Sequence, residues 1–169
     1  DHLDYHKNLK NYLNSKLYLF KELMKKKGTI ITDANIPQFK KIEKISLKKK
    51  INLNLILSKK GIQLISHRFE NEQQILKIRF KNKNYNINLN LIGEIQVKNI
   101  LMAMLAANKS GLKIEKIIKI IHKIKPVEGR LQNIGNIKNN SKVILDYAHT
   151  PAALELALIN LKEQFSSSK

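Results

Sequence analysis

Six residues at the start of the chain, Asp1-His2-Leu3-Asp4-Tyr5-His6, hold four side chains able to ligate a metal. Two carboxylates and two imidazoles in so short a span suit a divalent cation. Magnesium in particular prefers oxygen, keeps several waters and shares a phosphate oxygen with its substrate. Taken alone, the cluster reads first as polar capping of the helix that follows. Lys16 adds to it, because it falls within the stripe Leu9, Tyr12, Leu13, Leu17, Phe20, Leu23 and Met24, whose spacing marks one face of a helix over residues 8–26. Desolvation on such a face favours a neutral amine, which can add carbon dioxide and become a carbamate, an oxygen ligand for a hard cation. From periodicity alone the simpler reading is the better one, a packed stem whose ammonium reaches water.

A second group lies near the other end, in Asp146-Tyr147-Ala148-His149-Thr150-Pro151. Residues 142–145 read as a buried strand, and Thr150 with Pro151 as the N-cap and first residue of a helix running to about residue 163. Ligands of α/β folds sit in crevices at the carboxyl ends of strands, and helix N-termini attract phosphate. Asp146 could therefore hold a ribose hydroxyl and His149 could donate to a phosphate oxygen, or both could merely cap the helix. Arg130, beside Gly129, could reach a phosphate, or be a plain surface arginine. Gln96 and Asn99 are three apart on a helix read as buried, so their amides need partners; a purine edge or a neighbouring backbone would serve.

The elements that must position these groups follow from pattern. Residues 29–32 read as a short buried strand, 36–39 as the start of a short helix or turn, and 48–50 as a solvated loop. Residues 53–57, 61–67, 74–80 and 85–91 read as strands of an antiparallel meander. Residues 94–108 form an almost wholly apolar helix, and Ile114, Ile117, Ile118, Ile121 and Ile124 stripe another that Pro126 stops. After it, 131–137 and 142–145 read as strands around a turn at 139–141, the opening of a further α/β unit of βαβ type.

The 169 residues, 43% apolar, suffice for a core and could be one domain or parts of two. There is no cysteine, hence no disulfide and no thiolate metal site. No signal peptide or long apolar run is present, so a membrane partner is not expected and a cytoplasmic location is the default. The formal charge of +19 invites a nucleic-acid reading. Its make-up argues against one. Only Arg68, Arg79 and Arg130 are arginine, the other cations are lysine, and aromatics are a scattered 6%. The excess of Lys, Ile and Asn fits a genome rich in A and T.

Five motifs then join up. Asp1 to His6, Lys16, Gly93-Glu94-Ile95-Gln96-Val97-Lys98-Asn99, Pro126-Val127-Glu128-Gly129-Arg130 and Asp146 to Pro151 stand in the order and spacing of the Mur ligases. The set resembles the MurE type over nearly the whole chain. The resemblance implies a fold of class α/β. Residues 1–128 would be the C-terminal portion of a central ATP-binding domain, a mainly parallel sheet with helices plus a small antiparallel sheet. Residues 129–169 would begin a Rossmann-like C-terminal domain. It also implies an enzyme using ATP and Mg2+ to join a diamino acid, meso-diaminopimelate or L-lysine, to a UDP-linked muramoyl dipeptide through an acyl phosphate. A monomer without nucleic-acid partners is expected. By the same resemblance His2 binds magnesium, Lys16 does so as a carbamate, Asn99 lies near the adenine, Arg130 reaches nucleotide phosphate, and Asp146 and His149 touch ribose and phosphates. The sequence departs from the family pattern at Ile95, where an aromatic or histidine is usual, and at Thr32-Asp33-Ala34-Asn35. The family's Gly-rich phosphate loop would precede Asp1, so no ligase activity is expected of residues 1–169 alone. A different Mur-type or cyanophycin-type ligase, or a basic nucleic-acid-binding module, is the alternative.

Overall fold

The structure, a computed structural model, describes residues 3–165. A short helix α1 (Leu3–His6) leads to α2 (Leu9–Tyr18), which is opened by Asn8: its side-chain oxygen accepts the Asn11 N–H at 2.9 Å. Past Tyr18 the helix widens into one π turn, Leu19–Leu23, closed by Met24 N–H donating to Leu19 O at 2.9 Å. The row that packs is Leu13, Leu17, Phe20 and Met24, set against Ile30, Ile42 and Ile51. Leu9, Lys16 and Leu23, seven apart, form a neighbouring row that stays outside. The expected place of Lys16 in a buried stripe is thus corrected. Lys16 lies one residue, ~100° of rotation, from buried Leu17, and is exposed.

Strand β1 (Thr29–Asp33) pairs in parallel with β2 (Asn52–Ile56), and α3 (Phe39–Lys49) is the crossover between them. Two expectations change here. Lys48 and Lys49 are no loop but the last turn of α3, where cations favour the helix C-terminus, and Lys50 ends it in the left-handed region at φ 54°. Nor does β2 open a meander. It lies parallel to β1, and touches β3 (Gly61–Glu70) in parallel over two residues only, Leu55 with Gly61 and Ile56 with Ile62. Glycine is required at that corner, since a Cβ at Gly61 would stand 1.8 Å from Leu55 O. The meander proper is β3, β4 (Gln73–Phe80) and β5 (Lys83–Leu89), joined by the two-residue turns Asn71-Glu72 and Lys81-Asn82. The five strands thus lie in sequence order in one sheet, half parallel and half antiparallel.

Alternation along β4 and β5 turns Leu76, Ile78, Phe80, Ile87 and Leu89 inward, against Val97, Ile100, Leu101, Met104 and Leu105 of α4 (Glu94–Lys109) and Ile114, Ile117 and Ile121 of α5 (Ile114–Ile121). Tyr85 Oη donates to Glu115 across β5 and α5 at 3.1 Å. Partial burial of the phenol and that bond raise the Tyr85 pKa, while its own backbone N–H and then Tyr85 lower that of Glu115. The α5 stripe ends at Ile121 rather than Ile124, which is 41% exposed beyond the helix. After it come β6 (Gln132–Asn136), β7 (Lys142–Leu145) and α6 (Pro151–Gln164). β6 and β7 are antiparallel, so this unit is ββα and not the expected βαβ. β7 is half-buried rather than buried, with Leu145 45% exposed, because two strands backed by one helix leave much of their surface to solvent. Among the described residues no helix is long and apolar enough to cross a membrane.

Candidate functional site

The turn between α5 and β6 and the loop between β7 and α6 face each other, and Asp146 ties them together. Its Oδ2 accepts the Leu131 N–H and its Oδ1 the Ala148 N–H, both at 2.8 Å. Tyr147 N–H donates to Gly129 O at 2.9 Å across the same gap. Leu131 is buried with φ 45°, a left-handed conformation that a branched side chain rarely adopts, and the Asp146 bond to its N–H holds it there. Each carboxylate oxygen has a second lone pair, so both can still accept from a ligand.

Arg130 projects from this turn, with its guanidinium carbon 5.5 Å from the centroid of the Tyr147 ring. His149 Nδ1 lies 2.9 Å from Tyr147 O, a carbonyl that can only accept, which makes Nδ1 the donor of that bond. Thr150 Oγ1 accepts the Ala153 N–H at 3.3 Å, the cap read from the sequence, with Pro151 behind it.

Two adjoining clefts result. One, of about 410 Å³, runs between α4 and α6 and is lined by Gln96, Asn99 and Ile95 on one wall and Arg130, Asp146 and Asn160 on the other. The second, of about 470 Å³, continues from Arg130 and Asp146 to His149 and Thr150. The structure therefore gathers Asn99, Arg130, Asp146 and His149 along one continuous hollow of ligand size. Gln96 is buried and Asn99 exposed, so only the first of the two amides demands an internal partner, and Asn99 Nδ2 meets Gln96 Oε1 at 3.5 Å. Ile95, 47% exposed, supplies the apolar part of that wall.

Of the two expected metal ligands, only Lys16 falls within the described residues, and it lies elsewhere. His2 is outside the described residues. Lys16 lines neither cleft; its Nζ stands 4.6 Å from the centroid of the Tyr12 ring, which the His6 ring also approaches at 5.1 Å between centroids. His6 Nδ1 also meets Ser15 Oγ at 3.4 Å. Lys16 thus sits on the surface beside the opening motif. Among the described residues no three of His, Cys, Asp and Glu converge as a metal cage would. Magnesium needs no cage, since one or two protein oxygens plus waters and phosphate suffice. As an ammonium Lys16 would repel the ion; as a carbamate it would fit.

Sequence reasoning passed over Asn160 and Gln164. Both are buried on α6, and they accept the first N–H groups of α4, Glu94 at 2.7 Å and Gly93 at 3.1 Å. Their spacing of one helical turn, on the same face as Ala153 and Ala157, was the available signal.

The Mur ligase middle domain family matches residues 1–107. Among known proteins, the chain is 34% identical over 162 residues to the UDP-N-acetylmuramoyl-L-alanyl-D-glutamate--2,6-diaminopimelate ligase of Rickettsia bellii (strain RML369-C), covering 96% of the chain and 33% of that protein. The ligase of the same name from Chelativorans sp. (strain BNC1) is 34% identical over 160 residues, covering 94% and 33%. The chain thus spans about a third of the length of the curated relatives it matches. A solved 2,6-diaminopimelate ligase superposes with a TM-score of 0.75 at 23% identity, over 96% of the chain and 34% of that structure. MurF of Thermotoga maritima in complex with ADP does so with a TM-score of 0.76 at 16% identity, over 96% and 36%. At these identities the two structures establish the fold, which is the α/β fold of the Mur ligases.

Proposed function

The chain belongs to the Mur ligase family, and from that premise we propose that it is part of an ATP-dependent ligase of peptidoglycan precursor synthesis. The substrates would be a UDP-N-acetylmuramoyl-L-alanyl-D-glutamate and a diamino acid, here 2,6-diaminopimelate. The names of its relatives support that pair of substrates. Residues 1–128 would belong to the ATP-binding domain and 129–169 to the domain after it, with the break at the Gly129 turn.

The observation that carries the nucleotide part of this reading is the convergence of Gln96, Asn99, Arg130 and Asp146 on one cleft, with His149 just beyond. The Asn99 amide would read the base edge. Asp146 would take a ribose hydroxyl on the lone pairs its backbone partners leave, and Arg130 and His149 would meet phosphate oxygens. The Tyr147 ring lies beside the guanidinium, a weak cation–π contact that would favour its orientation toward phosphate. ATP would convert the glutamate carboxylate to an acyl phosphate, and the diamino acid's amine would displace phosphate through a tetrahedral intermediate. Magnesium, when bound, would neutralise phosphate charge. His2, and Lys16 as its carbamate, would hold it.

Titration calorimetry with magnesium–ADP tests this. Binding by the chain is expected, and Arg130→Ala should weaken it roughly 10- to 100-fold, as for loss of a charge-assisted hydrogen bond. No heat from the unaltered chain, or equal affinity in the variant, would count against the nucleotide reading.

A further inference from the structure

We infer that Asn160 and Gln164 are positioning residues of the cleft: they seat α6 on the N-terminus of α4 and so set the distance between the two walls. The inference takes the identity of the ligand from the nucleotide reading above, and nothing else from it.

A helix leaves its first N–H groups without partners, and an N-cap side chain reaches only those of the second or third helical residue. The N-cap of α4 is Gly93, which has no side chain to offer. Its own N–H and that of the first helical residue lie outside such a cap's reach; Gln164 Oε1 accepts the former at 3.1 Å and Asn160 Oδ1 the latter, from Glu94, at 2.7 Å. The caps of α4 are thus supplied from α6, some seventy residues further along the chain.

The other ends of both amides are also engaged. Gln164 Nε2 donates to Glu72 O at 2.7 Å and to Leu91 O at 3.3 Å, and Asn160 Nδ2 to Leu156 O at 2.7 Å. Fully buried Gln74 backs the seat, donating to Leu91 O and Gly93 O at 2.7 and 3.3 Å while its Oε1 meets His67 Nε2 at 2.9 Å. Neutral amides form weaker bonds than carboxylates would, which suits a seat that can be left and regained.

Gly93 supplies a second, independent line. A Cβ there, at φ 92°, would stand 3.0 Å from Asn160 Oδ1 and 2.8 Å from Leu131 Cδ1. The residue is therefore as small as the approach of α6 demands. Around the amides, Ile92, Leu131 and Ala157 close an apolar patch with Ile144, Ala148, Leu161 and Phe165.

The seat acts on the cleft through a rigid body. Asn160 itself lines the cleft, and ~15 Å along the same helix lie Thr150 and the loop bearing Asp146 and His149. Across the gap, α4 carries Gln96 and Asn99 within two turns of the capped end. Releasing the caps would free one wall from the other while both helices persist.

The chain has no cysteine, so nitroxide labels at Ala103→Cys on α4 and Glu163→Cys on α6 report the gap by pulsed electron resonance. We expect one narrow distance distribution, broadened in Asn160→Leu/Gln164→Leu and also in Gly93→Ala, which keeps both amides but crowds them. In the same variants the amide protons at positions 93 and 94 should exchange at least about tenfold faster while those of Leu101 and Met104 keep their rates. An unchanged distribution with unchanged exchange in folded variants overturns the inference. Should a variant lose its helix content by circular dichroism, native-state exchange on the unaltered chain decides. Gly93 and Glu94 opening together with α6, apart from Leu101 and Met104, supports the seat; exchange at the rate of a free helix end refutes it. These measurements need no nucleotide, so absence of ADP binding would sink the nucleotide reading and leave the seat to be judged on distance and exchange alone.

Discussion

Asp146 performs a structural task whatever ligand it meets. Two backbone donors, Leu131 N–H and Ala148 N–H, each need an acceptor, and its two oxygens supply them at 2.8 Å. An asparagine offers one oxygen and one NH2, so Asp146→Asn must set donor against donor on one side. We expect a loss of about 1–3 kcal/mol, the cost of leaving a largely buried donor unmet, measured by urea unfolding. Part of any effect of this substitution on ligand affinity would then come from the turn that carries Arg130. Lys16 teaches the reverse point. Its residue type and motif context agree with a metal role, yet its position on α2 is that of an ordinary surface lysine over a tyrosine ring.

At the scale of elements, the meander holds its register through two tight turns, neither of which carries the Asn-Gly pair such turns favour. Asn71 and Glu72 stand at φ 48° and 65°, and Lys81 and Asn82 at 46° and 63°, the paired left-handed conformations of a type I′ turn. That turn prefers Asn followed by Gly. Lys81→Asn with Asn82→Gly should therefore stabilise the chain by about 0.5–1 kcal/mol, read as a higher urea midpoint at unchanged slope. An unchanged or lower midpoint would mean that cross-strand packing between Phe80 and Lys83 already outweighs turn strain. The turn at Asn71-Glu72 is less free to change, because Glu72 O accepts from Gln164 and its carboxylate meets Lys142 at 2.8 Å.

For the whole molecule, the charge of +19 raises the question of polyanions. The lysines are spread over α2, α3, α4, α5 and several strands and loops, and the arginines differ in setting: Arg68 is paired with Glu70, Arg79 bonds Asn84, and Arg130 faces the cleft. A duplex titrated at rising salt should show only weak, sequence-independent association, with Kd about 10⁻⁴ M or weaker at physiological ionic strength. Tight or sequence-selective binding would revive the nucleic-acid reading at the expense of the ligase.

Local chemistry was readable from the chain without coordinates. Thr150-Pro151 announced the start of α6, period-two alternation announced β4 and β5, and the apolar run after Gly93 announced α4, because each depends on residues within a turn or a strand of one another. Motif order likewise carried the family. What the sequence alone left open is everything that needs two distant segments to meet. The parallel pairing of β2, the exposure of Lys16 and the half-burial of β7 depend on which surface covers which, and no local pattern records that. The caps of α4 are the clearest instance. The N–H groups of Gly93 and Glu94 find acceptors only when a helix some seventy residues later brings Gln164 and Asn160 to them, and only the folded chain puts them within hydrogen-bonding reach.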